Sequence, residues 1–248
     1  MINFKTILRD CKSGYRAFEK TVVRDRVPQS FEEAIRGTFN RTPVIAEIKP
    51  SSPSGRNKVI EDPKGIALEM IKGGASGLSV LTERKYFGGS LKNLQEVGDV
   101  SRVPVLRKDF IFHEAQIPES YYYGADSLLL IASFFSGSKL KEFLNKSRSL
   151  GMEPLVEVHS RKDIGKAKDA GAHLYVINNR DKDTLEIDLK RSEEFSAYID
   201  GLKISASGIS TRAELEYVLD YCDAVLIGNS IMRAENVKGK TWEFVYGT

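Results

Sequence analysis

Residues 43–55 read PVIAEIKPSSPSG, an apolar run with two opposite charges near its end, then Pro, Ser and Gly. Side chains alternate along a strand, so every second residue shares a face. Val44, Ala46 and Ile48 make one wholly apolar face, suited to a layer of helices. Ile45, Glu47 and Lys49 make the other. The strand therefore expects helices on one side and a polar site at its C-terminal end.

The pattern recurs along the chain. PVIAEIK, GLSVLTE, VPVLRKDF, DSLLLIAS, MEPLVEVH, HLYVINN, LKISAS and DAVLIGN read as strands. Helical patterns lie between them, around 62–73, 90–98, 113–123, 138–149, 160–170, 188–198 and 211–221, with a short eighth after Asn229. Strands alternating with helices define right-handed βαβ units and a parallel sheet. GGASGL, YGADSL and DAGAHL place glycine where a helix ends in a left-handed residue. STRAEL and HSRKDI place Ser before a helix, with an acid in the next turn. Eight units in about 205 residues predict a closed (β/α)8 TIM barrel. An open dinucleotide-binding sheet would show GxGxxG after the first strand, and none is there.

Residues 1–42 form an N-terminal helical extension with two pieces, NFKTILRDCKSGYRAFE and SFEEAIRG. They are expected to cap the barrel bottom or edge its mouth. They are too short for a core of their own, so residues 1–248 read as one domain with the barrel from 43 to 248.

Lys plus Arg number 37 and Asp plus Glu 34, a net +3. That balance speaks against nucleic acid or a membrane surface and leaves a small molecule as partner. Cys11 and Cys222 are far apart, and His113, His159 and His173 lack ligand spacing, so neither disulfide nor metal is signalled. No apolar leader or long apolar stretch is present, so the expected location is cytoplasmic. A monomer or weak homo-oligomer is expected.

A (β/α)8 barrel carries its chemistry at the C-terminal ends of the strands. Inward positions there are Glu47 and Lys49, then Lys108 and Phe110, then Glu157 and His159, then Asn178 and Arg180. Five charges from four strands converge, and charges are seldom buried without partners. Phe87, Phe110 and Leu129 offer an apolar wall. SASGIST and LIGNSIM end the last two strands in a small residue, a Gly and a helix start. Such backbone turns bind phosphate, which makes Ser207, Gly208, Gly228 and Asn229 the candidates. The loop PSSPSGRNKV is polar and suits a lid. His113 and His159 read as surface residues, Tyr121–Tyr123 as helix packing and Trp242 as a tail anchor.

VIAEIKPSSPSG, LTERKYFGGS, VLRKDFI, QIPESYYYGADSLLLI, GMEPLVEVH, INNRD, SGIS and IGNSIMR resemble, in order over about residues 43–233, the indole-3-glycerol-phosphate synthase family. The resemblance implies a (β/α)8 barrel with a helical extension. It implies ring closure of 1-(2-carboxyphenylamino)-1-deoxyribulose 5-phosphate in tryptophan biosynthesis, with loss of CO2 and water and without metal or cofactor. Lys108 would be the general acid. Glu157 would be the acid/base of dehydration, a task suited to a carboxylate with a raised pKa. Glu47 and Lys49 would hold and polarise substrate, and Ser52, Asn178 and Arg180 would contact it. Ser207, Gly208, Gly228 and Asn229 would take the phosphate. Where the family usually reads Glu-Ser-Gly, this chain has Ala206-Ser207-Gly208, so an acid is missing. Other readings are a related phosphosugar isomerase, a Schiff-base aldolase through Lys108, and a phosphate-binding barrel without turnover.

Overall fold

The computed structural model describes residues 4–22, 24, 26–52, 55–57 and 60–247, with the side chains of 52, 55 and 56 outside that set. Eight strands form a closed parallel barrel. They are β1 (Val44–Ile48), β2 (Gly77–Leu81), β3 (Val105–Lys108), β4 (Ser127–Ile131), β5 (Leu155–Val158), β6 (Leu174–Asn178), β7 (Leu202–Ala206) and β8 (Ala224–Ile227). Each pairs with the next in sequence, and β8 returns to β1 through Val44–Val225 and Ala46–Ile227.

Alternation sorts the side chains as expected. Val44, Ala46 and Ile48 face outward and join Ala67 and Met70 of α3 (Pro63–Lys72) in one apolar cluster. Inside the barrel, Ile45, Leu106, Leu129, Leu155, Val176, Ile204 and Leu226 form another. That layer is closed to solvent, so the polar residues one step further up each strand become the floor of the mouth.

The connecting helices are α4 (Leu91–Val100), α5 (Gln116–Tyr122), α6 (Gly137–Ser149), α7 (Arg161–Ala170), α8 (Lys190–Ser196), α9 (Arg212–Leu219) and α10 (Asn229–Met232). Ser160 caps α7 through the Asp163 N–H, as its position predicts. In STRAEL the cap is Thr211, which makes a reciprocal capping box with Glu214. Gly74, Gly124 and Gly171 all take the left-handed conformation after their helices. A final helix, α11 (Val237–Tyr246), was not marked in the sequence. It is held by Phe244 and Val245, each 1% exposed, whereas Trp242 is half exposed and packs on Tyr246. Phe244, not Trp242, is the tail anchor.

The extension serves both ends of the barrel. α2 (Phe31–Arg36) lies at the bottom, where the Phe31 ring fills the space beside Gly77 at the start of β2. Ser30 Oγ donates to Glu153, just before β5. Arg24 and Arg26 each reach Asp126 at 2.7 Å, and Asp126 also accepts the N–H groups of Gln29 and Val105. Phe18 packs on Tyr122 and Tyr123, so the tyrosine run is helix packing. α1 (Phe4–Gly14) lies at the mouth, with the Phe4 ring against Phe110 and His159.

Candidate active site

The site is built on the ends of the strands. Glu47, at the top of β1, is 2% exposed. Its Oε1 lies 3.2 Å from Lys49 Nζ, and its Oε2 lies 3.9 Å from Lys108 Nζ at the top of β3. Ser79 Oγ donates to Oε2 at 3.3 Å. One carboxylate thus serves two ammonium groups. Burial holds the Lys49 pKa below its ordinary value, with Glu47 opposing and Lys108 and Arg180 assisting. Burial lowers Arg180 as well. Arg180 is oriented by its N–H to Asn178 Oδ1 at 3.0 Å and by Nη1 to the Leu185 carbonyl at 2.8 Å.

Glu157 and His159 overturn two expectations. His159 is a buried residue, with Nε2 2.7 Å from Glu157 Oε1. It is buried because Phe4 of α1 covers it, a long-range contact absent from the local pattern. Burial is the largest influence on Glu157 and pushes its pKa up. The His159 hydrogen bond and charge, Lys108 and Asn178 outweigh it and hold the carboxyl at about 2. Glu157 is therefore an ionised carboxylate, not one with a raised pKa.

Two adjoining cavities meet at these groups. The larger, about 470 Å³, is lined by five cations (Lys49, Lys108, Arg180, Arg233 and Lys240), while Glu47 is the only acid among its described lining residues. Its far end reaches the turns Ser207–Gly208 and Gly228–Asn229. Ser207 (φ 72°) and Gly208 (φ 86°) are both left-handed, a conformation that costs a non-glycine residue about 1–3 kcal/mol. Asn179 Nδ2 holds the turn by donating to the Ser207 carbonyl and to Ser205 Oγ, each at 3.0 Å. A Cβ at Gly228 would lie 2.6 Å from Glu47 Oε1, so glycine is needed there for close approach. The smaller cavity, about 50 Å³, has Phe87, Phe110 and Leu129 as walls and shares Lys49, Lys108, Asn178, Arg180 and Ser207 with the larger. Phe134 stacks on Phe110 at 5.8 Å.

The structure thus brings together every candidate side chain read from the sequence except Ser52, whose side chain lies outside the described residues, as do residues 53, 54, 58 and 59 of the same loop. Asn57 of that loop is described, and its Nδ2 donates to the Lys49 carbonyl and to Asn229 Oδ1. Ala206 lines the larger cavity between Asn178 and Leu226 of the neighbouring strands. The sequence reading missed Phe4, Arg233 and Lys240 as lining residues. None lies on an inward strand position, so no periodicity marked them. Among the described residues, no cluster of His, Cys, Asp or Glu suited to a metal was found, and no helix is long and apolar enough to cross a membrane.

A closed parallel barrel with a cationic mouth, an apolar slot beside it and glycine turns after its last two strands defines a (β/α)8-barrel enzyme with an anion-binding site. Comparison with known proteins gives the particular family. The family model "Indole-3-glycerol phosphate synthase" matches residues 8–244. The chain is 47% identical to the indole-3-glycerol phosphate synthase of Methanocaldococcus jannaschii, over 97% of this chain and 92% of that one. It is 41% identical to that of Aquifex aeolicus, over 93% and 91%. Among solved structures, thiamine phosphate pyrophosphorylase from Pyrococcus furiosus superposes with a TM-score of 0.61 at 13% identity, over 83% of this chain and 94% of that one, a likeness of fold alone. The chain belongs to the indole-3-glycerol phosphate synthase family, whose members are decarboxylating lyases of tryptophan biosynthesis.

Proposed function

We propose that this chain converts 1-(2-carboxyphenylamino)-1-deoxyribulose 5-phosphate to indole-3-glycerol phosphate, and that Lys108 is its general acid. The observation that carries the reading is the position of Lys108 on the border of both cavities. The aryl ring occupies the apolar slot, the phosphate goes to the cationic end, and the ketone between them meets the Lys108 ammonium.

The aryl carbon bearing the carboxylate attacks the ketone carbon. Lys108 protonates the ketone oxygen as negative charge grows there. Lys49 and Arg180 pair with the substrate carboxylate until the bond to CO2 breaks, returning its electrons to the ring. The new hydroxyl then takes a proton from Lys108, recharged from solvent, and leaves as water, and loss of one ring proton completes the indole. Glu157 is ionised at neutral pH, so it accepts that proton. Glu47 keeps Lys49 and Lys108 paired between turnovers. As the only acid among the described lining of the larger cavity, it carries the charge stabilisation that Ala206 does not supply. The turns at Ser207–Gly208 and Gly228–Asn229 present backbone N–H groups to the phosphate, with Arg233 and Lys240 close by. Ser52 is a further contact. The enzyme acts in the cytoplasm as a monomer or weak homo-oligomer, without metal or cofactor.

The test is direct. Purified protein with the carboxyphenylamino-deoxyribulose phosphate should generate indole fluorescence. No turnover by the intact wild-type protein refutes the function. A borohydride-trapped adduct at Lys108 refutes the acid role and supports a Schiff base.

A further inference from the structure

His159 has no part in the chemistry above, yet it is as deeply buried as its neighbour. Both the His159 and Glu157 side chains are 1% exposed, and they meet at 2.7 Å. The carboxylate is ionised, so the Nε2 atom that faces it carries the proton. The remaining polar atoms of the pair, His159 Nδ1 and Glu157 Oε2, make no well-formed hydrogen bond among the described residues, although the Asn178 side chain lies close enough to favour the charged carboxylate. A buried carboxylate oxygen left so poorly satisfied is costly, and such a group calls for an explanation. The residue is held at both backbone and ring: its backbone N–H donates to Asp163 Oδ2 on α7 at 3.3 Å, and the Phe4 ring meets the imidazole edge-on at 5.5 Å.

We propose that His159 is a positioning residue for the reaction assigned above: it holds Glu157 by Oε1, so that Oε2 alone is left to take the substrate proton, and Phe4 locks the ring that does this. The inference rests on the proposed function. It assigns α1 a task beyond covering the mouth, because the ring of its first described residue sets the orientation of a reacting carboxylate. The other charged groups around the pair are Lys49, Lys108, Arg180 and Asp109 on the smaller cavity and Asp163 on α7, itself 3.7 Å from Lys166.

The test replaces His159 in two backgrounds. His159→Leu should lower kcat about a hundredfold, as a misplaced group does, while KM changes less than about threefold. The acid limb of the kcat profile should move to higher pH, because burial of Glu157 would lose its main opponent. His159→Gln keeps an N–H for the carboxylate and should recover most of kcat. In a Glu157→Gln background the His159→Leu change should cost less than about threefold, since the two residues act as one unit. An unmoved acid limb overturns the proposal, as does a full hundredfold loss in the Glu157→Gln background. If His159→Leu does not fold, His159→Ala, which also removes the N–H, decides by the same acid limb. Wild-type turnover, measured alongside, separates this outcome from a failure of the assigned reaction.

Discussion

Gly228→Ala is a sharp probe of the mouth. Gly228 has φ −117°, which any residue adopts, so the backbone does not require glycine. Space does. The new Cβ would lie 2.6 Å from Glu47 Oε1, about 0.8 Å short of an ordinary 3.4 Å contact. Glu47 is buried beneath Lys49 and Lys108 and has to move. Overpacking of this kind costs about 1–3 kcal/mol of stability. If the Lys49 contact lengthens by the same amount, its attraction falls by about 1 kcal/mol at an effective dielectric of about 20. That predicts about a fivefold loss in kcat/KM, with a lower melting temperature. The assays are indole fluorescence for turnover and thermal unfolding for stability. Glu47→Ala removes the obstructing carboxylate and leaves only the residue 47 Cβ at 3.2 Å, so adding Gly228→Ala there should cost much less further stability. Gly165→Ala, on the open surface of α7 with nothing within 4 Å, is the control and should stabilise by about 0.5–1 kcal/mol. If Gly228→Ala is as destabilising without the Glu47 side chain as with it, the steric argument is wrong.

Lys108→Ala should lower kcat by about two to four orders of magnitude, as for a lost general acid, with normal stability, and near-normal turnover would remove the mechanism. Glu157 has a carboxyl at about 2 against an ordinary 4.5, so its ionised form stabilises the fold above about 4.5, and that contribution disappears as pH falls towards 2. Urea unfolding across that window should show a decline that Glu157→Gln lacks. Asp126 is a fully buried acceptor for two arginines and two backbone N–H groups, so Asp126→Ala should cost about 3–5 kcal/mol in chemical denaturation and leave KM nearly unchanged.

The strands were legible because period-two alternation is local, and so were the inward charges at their ends. Glu47, Lys49, Lys108, Glu157 and Asn178 needed only a strand and a direction. The chemistry of Glu157 was not legible. Its pKa depends on His159, and the burial of His159 depends on Phe4, about 155 residues earlier. Alternation had already put His159 on the inward face, but only α1 shows why it stays dry. Arg233 and Lys240 entered the mouth from helices beyond the last strand, where no pattern ties a side chain to the cavity. Trp242 shows the opposite error: ring size suggested an anchor, while the neighbouring Phe244 is the one that packs.

The barrel closes where β1 meets β8, pairing Val44 with a residue 181 positions later. A contact that distant forms late, because loop closure must precede it. During synthesis β1 waits as an open edge until the last strand leaves the ribosome. The approach of Gly228 to Glu47 and the bond from Asn57 to Asn229 both cross that seam. Closing the barrel and assembling the mouth are therefore one event. A half-made or C-terminally clipped chain carries Lys108 and Glu157 but lacks the Gly228–Asn229 turn, Arg233 and Lys240, which complete the lining of the mouth.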